Sequence, residues 1–129
     1  MKTMLGCLAA FALMATTALA DPAGKENDFV VRDFHFKDGS TLPEVKIHYT
    51  TLGTPQRDAK GHVTNAVLIM HGTGGDGHQF YRPQFADVLF VPGGLLDPAH
   101  YFIILPDDIG HGKSSRPSHG LHARFPHYD

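Results

Sequence analysis

Apolar and polar positions alternate over residues 29–52. Phe29-Val30-Val31 and Phe34-His35-Phe36 lead into Asp38-Gly39, a turn dipeptide, and Val45, Ile47 and Tyr49 then alternate with polar partners. A period of two predicts a β-hairpin or short meander whose strands are half-buried, with one face to solvent. A polar loop with Pro55 and Gly61 follows over 54–64, and then the pattern changes. Asn65-Ala66-Val67-Leu68-Ile69-Met70 and Tyr101-Phe102-Ile103-Ile104-Leu105 are apolar runs without alternation. Each predicts a strand covered on both faces. Between them, Phe80, Tyr81, Phe85, Val88 and Leu89 fall near helical spacing, which predicts a helix over 79–91 with Pro83 in its first turn. Two buried strands joined through a helix make a parallel βαβ unit, so the fold class is α/β, with an antiparallel β-hairpin on its edge. Residues 114–129 are polar, rich in His and Pro, and show no dependable period.

The first twenty residues stand apart from this pattern. Lys2 is followed by an apolar stretch from Leu5 to Met14 and by Ala18-Leu19-Ala20, an A-x-A cleavage site. Residues 1–20 therefore read as a secretory signal peptide and 21–129 as the mature chain, periplasmic or secreted, with no stable membrane insertion after cleavage. Cys7, the only cysteine, lies inside the signal, and too little apolar chain precedes it for a lipoprotein signal. The mature chain thus has no thiol for a disulfide, a thiolate metal site or a cysteine nucleophile. Losing the signal removes one basic residue and no acid, leaving 10 Lys and Arg against 13 Asp and Glu, a balance that gives no reason to expect nucleic acid as a partner.

Candidate chemistry gathers at the ends of the two apolar runs. His71-Gly72-Thr73-Gly74-Gly75-Asp76-Gly77 directly follows the first. Glycines there allow a sharp turn that leaves N–H groups facing open space, an arrangement suited to an anion or a developing oxyanion. The same run fits the dinucleotide pattern G-x-G-x-x-G through Gly72, Gly74 and Gly77. A preceding hairpin, and an acid (Asp97) that falls in a loop instead of at a strand end, argue against that reading. Gly110-His111-Gly112-Lys113-Ser114 after the second run imitates a phosphate-binding loop, but Asp107 stands where the motif requires glycine and places a carboxylate where phosphate would lie. No G-x-S-x-G elbow is present. Ser114 lacks the second glycine and is followed by Pro117 where a helix would begin, which argues against it as a nucleophile. His119-x-x-His122 with His127, or His71 with His78, suggests a metal only weakly, since no helix fixes the spacing; these read as loop histidines, with no metal site and no cofactor expected.

Leu42-Pro43-Glu44-Val45, Tyr49-Thr50-Thr51-Leu52-Gly53, Asn65-Ala66-Val67-Leu68 and His71-Gly72-Thr73-Gly74-Gly75-Asp76 together resemble the α/β-hydrolase-fold enzymes, in the branch that includes homoserine O-acetyltransferases. Pro106-Asp107-Asp108-Ile109-Gly110-His111-Gly112-Lys113-Ser114 is similar to the family's segment after the fourth strand, so the resemblance runs over roughly residues 29–129. It implies that residues 21–129 are the N-terminal portion of a hydrolase sheet, incomplete without downstream strands. It also implies that the backbone N–H of Thr73 forms half of an oxyanion hole, with His71, Gly72, Gly74 and Gly75 shaping the turn. The other half, and the nucleophile, acid and base in that chain order, would lie beyond Asp129, so no triad residue is present. In the family's sheet the third strand, here 66–70, lies between the fourth and a fifth that is missing. Val67, Leu68, Ile69 and Met70 would each gain ~1.5 to 3 kcal/mol from full burial, so the isolated piece is expected to be unstable or to associate.

The expectation is thus an exported ester or acyl hydrolase fragment, inactive alone, whose complete protein takes a small acyl or ester substrate. The alternatives are a homoserine O-acetyltransferase-like acyltransferase fragment, set lower because acetyl-CoA chemistry is cytoplasmic, and a non-enzymatic half-fold or truncated gene product, completed in one version by a C-terminal polypeptide.

Overall fold

The computed structural model describes residues 24–127; the expected signal peptide lies outside them. The hairpin is β1 (Lys25–His35) and β2 (Thr41–Leu52), antiparallel with Phe29 opposite Ile47 and His35 opposite Thr41. Its turn is held by the Asp38 carboxylate, which accepts the amide of Ser40 at 2.8 Å and its hydroxyl at 2.5 Å. The first apolar run supplies β3 (Ala66–Leu68) and the second β4 (Phe102–Pro106). The two are parallel, β4 is antiparallel to β2, and the four strands lie in the order β1-β2-β4-β3. The expected α/β class and the placing of the hairpin on the edge of a βαβ unit therefore hold.

The helix differs from the expected span. A 3₁₀ turn occupies Gly77–Tyr81, with the Asp76 side chain accepting the amide of His78, and α1 runs from Pro83 to Leu89. Proline disfavours helical backbone in the residue before it, and Arg82 accordingly adopts ψ 143°, breaking the segment in two. Pro83 then serves as the first helical residue, where its missing N–H costs nothing. The polar tail forms two short 3₁₀ turns, Pro117–His119 and His122–Arg124, and Phe125 sets its ring against Phe36.

Alternation within β4 sorts its side chains between two different surroundings. Ile103 and Leu105 face the helix and join Leu52, Phe80, Ala86 and Phe90 in the core, with Ile69, Leu89 and Leu96 packed at its margin. Phe102 and Ile104 face the other way. With Phe29, Ile47, Tyr49 and Leu68 they line an apolar concavity of about 340 Å³ on the opposite face. The expectation of strands covered on both faces is corrected here, most clearly at β3. Leu68 and Met70 are 60% and 51% exposed, and the outer edge of β3 has no ladder partner among the described residues. β1 is also more exposed than a half-buried strand, with Phe29 at 60%. The apolar run reports what the strand needs, and residues 24–127 supply it on one face only.

An apolar face beside an open strand edge is a template for association. The chain is expected to sediment as oligomers at micromolar concentration, and Leu68→Lys, which puts a charge on both features, to shift it toward monomer. Sedimentation velocity decides this; a wild-type monomer with a sharp reversible melt would contradict it.

Candidate functional site

The turns after β3 and β4 lie side by side at the carboxyl ends of two parallel strands, the position where open α/β sheets bind ligands. Two buried side chains, His71 and Asp107, hold them together, and a third, Ser114, fixes the second turn to β2. The His71 side chain, 1% exposed, accepts the amide of Asp108 at Nε2 (3.0 Å) and lies with Nδ1 2.9 Å from the carbonyl of Gly72. That carbonyl also accepts the amide of Gly75 at 3.0 Å. Asp107, buried at the end of β4, spans the two turns with one carboxylate: Oδ1 accepts the amide of Gly77 and Oδ2 that of Lys113, each at 2.8 Å. A side chain at position 112 would collide with this carboxylate, and φ is +48° there, so the site requires glycine twice over.

Ser114 is the third tie. It is 0% exposed, donates its hydroxyl to the carbonyl of Asp107 at 2.6 Å and accepts the amide of His48 at 2.8 Å. Ser115 continues the pairing with β2, its hydroxyl accepting the amide of Lys46 at 2.9 Å. Both serines thus extend the sheet's hydrogen bonding past the end of β4, and neither is hydrogen-bonded to a histidine ring among the described residues.

Beside this tied region an open, polar-walled concavity of about 420 Å³ is lined by Thr73, Gly74, Gly75, Asp76, His78, Gln79 and Arg82. Gly74, at φ +78°, makes the reversal that a side chain would resist. Thr73 and Gly74, both lining this concavity, donate no backbone hydrogen bond among the described residues. Along the flank, Glu26 of β1 meets the Lys113 ammonium at 2.6 Å and lies 3.6 Å from both His48 and His78. The bond from Lys113 holds the Glu26 carboxyl below its ordinary value, the hydrogen bond from His48 (2.8 Å) does the same for Asp28, and Glu26 in turn raises Lys113.

No family model matches the chain. A protein described as a probable acyltransferase from Methanothermobacter thermautotrophicus is 33% identical over 101 residues, covering 78% of this chain and 30% of its own. Homoserine O-acetyltransferase from Leifsonia xyli is 31% identical over 100 residues, covering 70% and 23%. The chain therefore spans less than a third of these relatives. Among solved structures, an acetylester hydrolase from Corynebacterium glutamicum superposes with a TM-score of 0.62 at 27% identity, covering 79% of this chain and 28% of that one. Homoserine O-acetyltransferase from Bacillus anthracis gives 0.54 at 27%, covering 68% and 24%. The fold is of the α/β-hydrolase type, matched over only part of each neighbour's chain.

Within this sheet, His71, Gly72, Thr73, Gly74 and Gly75 lie together in the turn that the Gly75 amide closes on the Gly72 carbonyl. The other motifs have structural employment. Of the dinucleotide-like glycines, Gly77 gives its amide to Asp107; Asp97 is buried and braces its own loop, accepting the amides of Ala99 at 2.8 Å and Gly93 at 2.7 Å, which hold its carboxyl below its ordinary value. In the phosphate-loop look-alike the Asp107 carboxylate does occupy the loop interior. His119 accepts from Arg116 Nε at 2.9 Å, and no group of three His, Cys, Asp or Glu side chains capable of holding a metal gathers among the described residues. Sequence reasoning missed the positive roles of Asp107, Asp108 and Glu26. For Asp107 a signal existed: an acid at the end of an apolar strand, ahead of G-x-G, is placed to accept loop amides. Glu26 gave none, because its partners lie far away in the chain.

Two outcomes follow from these ties. Ser114→Ala leaves the buried His48 amide and Asp107 carbonyl without partners and should cost about 1 to 3 kcal/mol in urea unfolding, well above Ser115→Ala. Because Glu26 and Asp28 titrate below their ordinary values, the stability they add is complete above the ordinary carboxyl range and is lost as pH falls through the lowered values. Amide exchange in 25–30 should therefore accelerate with acid, relative to the intrinsic rate, before exchange in β4 does.

Proposed function

We propose that these residues are the N-terminal part of an exported hydrolase acting on an ester or related acyl substrate. Its nucleophile–acid–histidine triad would be supplied beyond Asp129, and residues 1–129 alone would turn over no substrate. One observation carries the reading: the Thr73 N–H is unpaired among the described residues, at the wall of a polar concavity, on a peptide whose carbonyl already has two partners. When a nucleophile adds to an acyl carbonyl, the oxygen gains negative charge. A donor already fixed in place stabilises that charge without reorganising. Thr73 would supply one such donor, shaped by His71, Gly72, Gly74 and Gly75, and the residue after the nucleophile the other. The likeness to an acetylester hydrolase agrees with this chemistry.

A second reading, acetyl transfer to homoserine, is favoured by the names of several relatives and by one structural neighbour. The signal-like residues 1–20 weigh against it, since acetyl-CoA is cytoplasmic. Cleavage between Ala20 and Asp21 with periplasmic or extracellular recovery supports the hydrolase, whereas an uncleaved cytoplasmic protein moves the transferase ahead. A non-enzymatic half-fold completed by a second polypeptide is tested by the reading frame downstream: a G-x-S-x-G elbow there identifies a divided enzyme.

The purified mature chain should neither hydrolyse p-nitrophenyl acetate nor take up a fluorophosphonate label by mass spectrometry. An adduct on Ser114 or Ser115, with turnover lost on mutation, would overturn the assignment of the nucleophile to downstream chain.

A further inference from the structure

The chemistry of its two contacts fixes the state of His71. A carbonyl oxygen only accepts, so Nδ1 must donate to Gly72; a backbone amide only donates, so Nε2 must accept from Asp108. Both demands are met by a neutral ring with its proton on Nδ1. The side chain is 1% exposed, which leaves water little access to replace either partner. Nearby lie the Asp108 carboxylate, 3.8 Å from Nε2, and the His111 ring, whose centre is 5.1 Å away.

The carbonyl that His71 holds belongs to the same planar unit as the Thr73 N–H. In a trans peptide the C=O and N–H point in opposite directions, so fixing one aims the other. The Gly72 carbonyl receives both His71 Nδ1–H and the Gly75 amide that closes the turn, so the Thr73 N–H, opposed to that carbonyl, faces away from the turn interior. We propose that His71, as the Nδ1–H tautomer, is a positioning residue that aims the Thr73 N–H and couples its orientation to the turn after β4 through the Asp108 amide. That the aimed N–H serves an oxyanion rests on the proposed function; the tautomer and the coupling do not.

Asparagine places a donor near the position of Nδ1 and glutamine an acceptor near that of Nε2, so His71→Asn and His71→Gln separate the two contacts. Magic-angle-spinning ¹⁵N spectra, which tolerate association, should show His71, assigned through its own backbone, with Nδ1 protonated and Nε2 bare. In hydrogen exchange read by mass spectrometry, His71→Asn should leave residues 72–75 near wild type while exchange at Asp108 rises about tenfold, and His71→Gln should do the reverse. A residue that merely fills space would loosen both segments alike in both variants. That result, or a wild-type proton on Nε2, overturns the proposal, and the wild-type spectrum decides even if a variant fails to fold. If the tautomer and exchange pattern hold but the chain extended by its downstream reading frame hydrolyses no ester, His71 keeps its positioning role and only the oxyanion reading falls.

Discussion

A single buried carboxylate joins the two turns on which the candidate site is built. Asp107, the residue after β4, has one oxygen on the Gly77 amide and the other on the Lys113 amide, while its own backbone amide goes to the carbonyl of His48 in β2 and its carbonyl accepts the Ser114 hydroxyl. Hydrogen bonds to an ionised acceptor are the stronger kind, and out of water they leave little slack. Without this residue the turn after β3 and the turn after β4 would each keep their internal bonds but lose one of the two side-chain bridges between them. His71 repeats the same bridge a few residues away, from the turn after β3 to the Asp108 amide. The region is therefore tied by two side chains between the turns of two parallel strands, and the Thr73 N–H, unpaired among the described residues, lies between them in the chain.

What was legible in the sequence depended on how local each cause was. The hairpin, the two apolar strands and their parallel pairing followed from period and order. The glycine-rich turn followed from residues adjacent in the chain. The helix limits were misread because the apolar spacing over 79–91 runs across Pro83, and the effect of proline on Arg82 outweighs the spacing. Burial was misread for a different reason: an apolar run states that a strand is covered in its native setting, not which residues cover it. The candidate site split along the same line. Its open N–H group was visible as glycine chemistry, whereas Glu26 reaches Lys113 across most of the chain, a pairing that only the sheet order creates.

The polar and apolar parts of the molecule are satisfied to very different degrees. At the carboxyl ends of β3 and β4 the buried acceptors and donors of His71, Asp107 and Ser114 have partners drawn from residues 48–113. On the sheet face away from α1, Phe29, Ile47, Leu68 and Ile104 border an open concavity, and the edge of β3 is unpaired among the described residues. The first part specifies geometry and the second sets stability, so a solution defect in this chain would begin at the sheet face, not at the turn.

That separation bears on how such a site can be assembled. Aiming a backbone donor requires the peptide that carries it, the side chain that holds its carbonyl and the loop that braces the side chain. All three fall within residues 71–114. What an acyl-transfer centre needs beyond that is a reacting group, a second donor and the exclusion of water, because a lone hydrogen bond facing bulk solvent gains little over the water it replaces. The concavity beside Thr73 is open and polar, so in residues 24–127 the donor is oriented but not desolvated. Orientation without desolvation accounts for why this turn can be fully formed and still be expected to accelerate no reaction by itself.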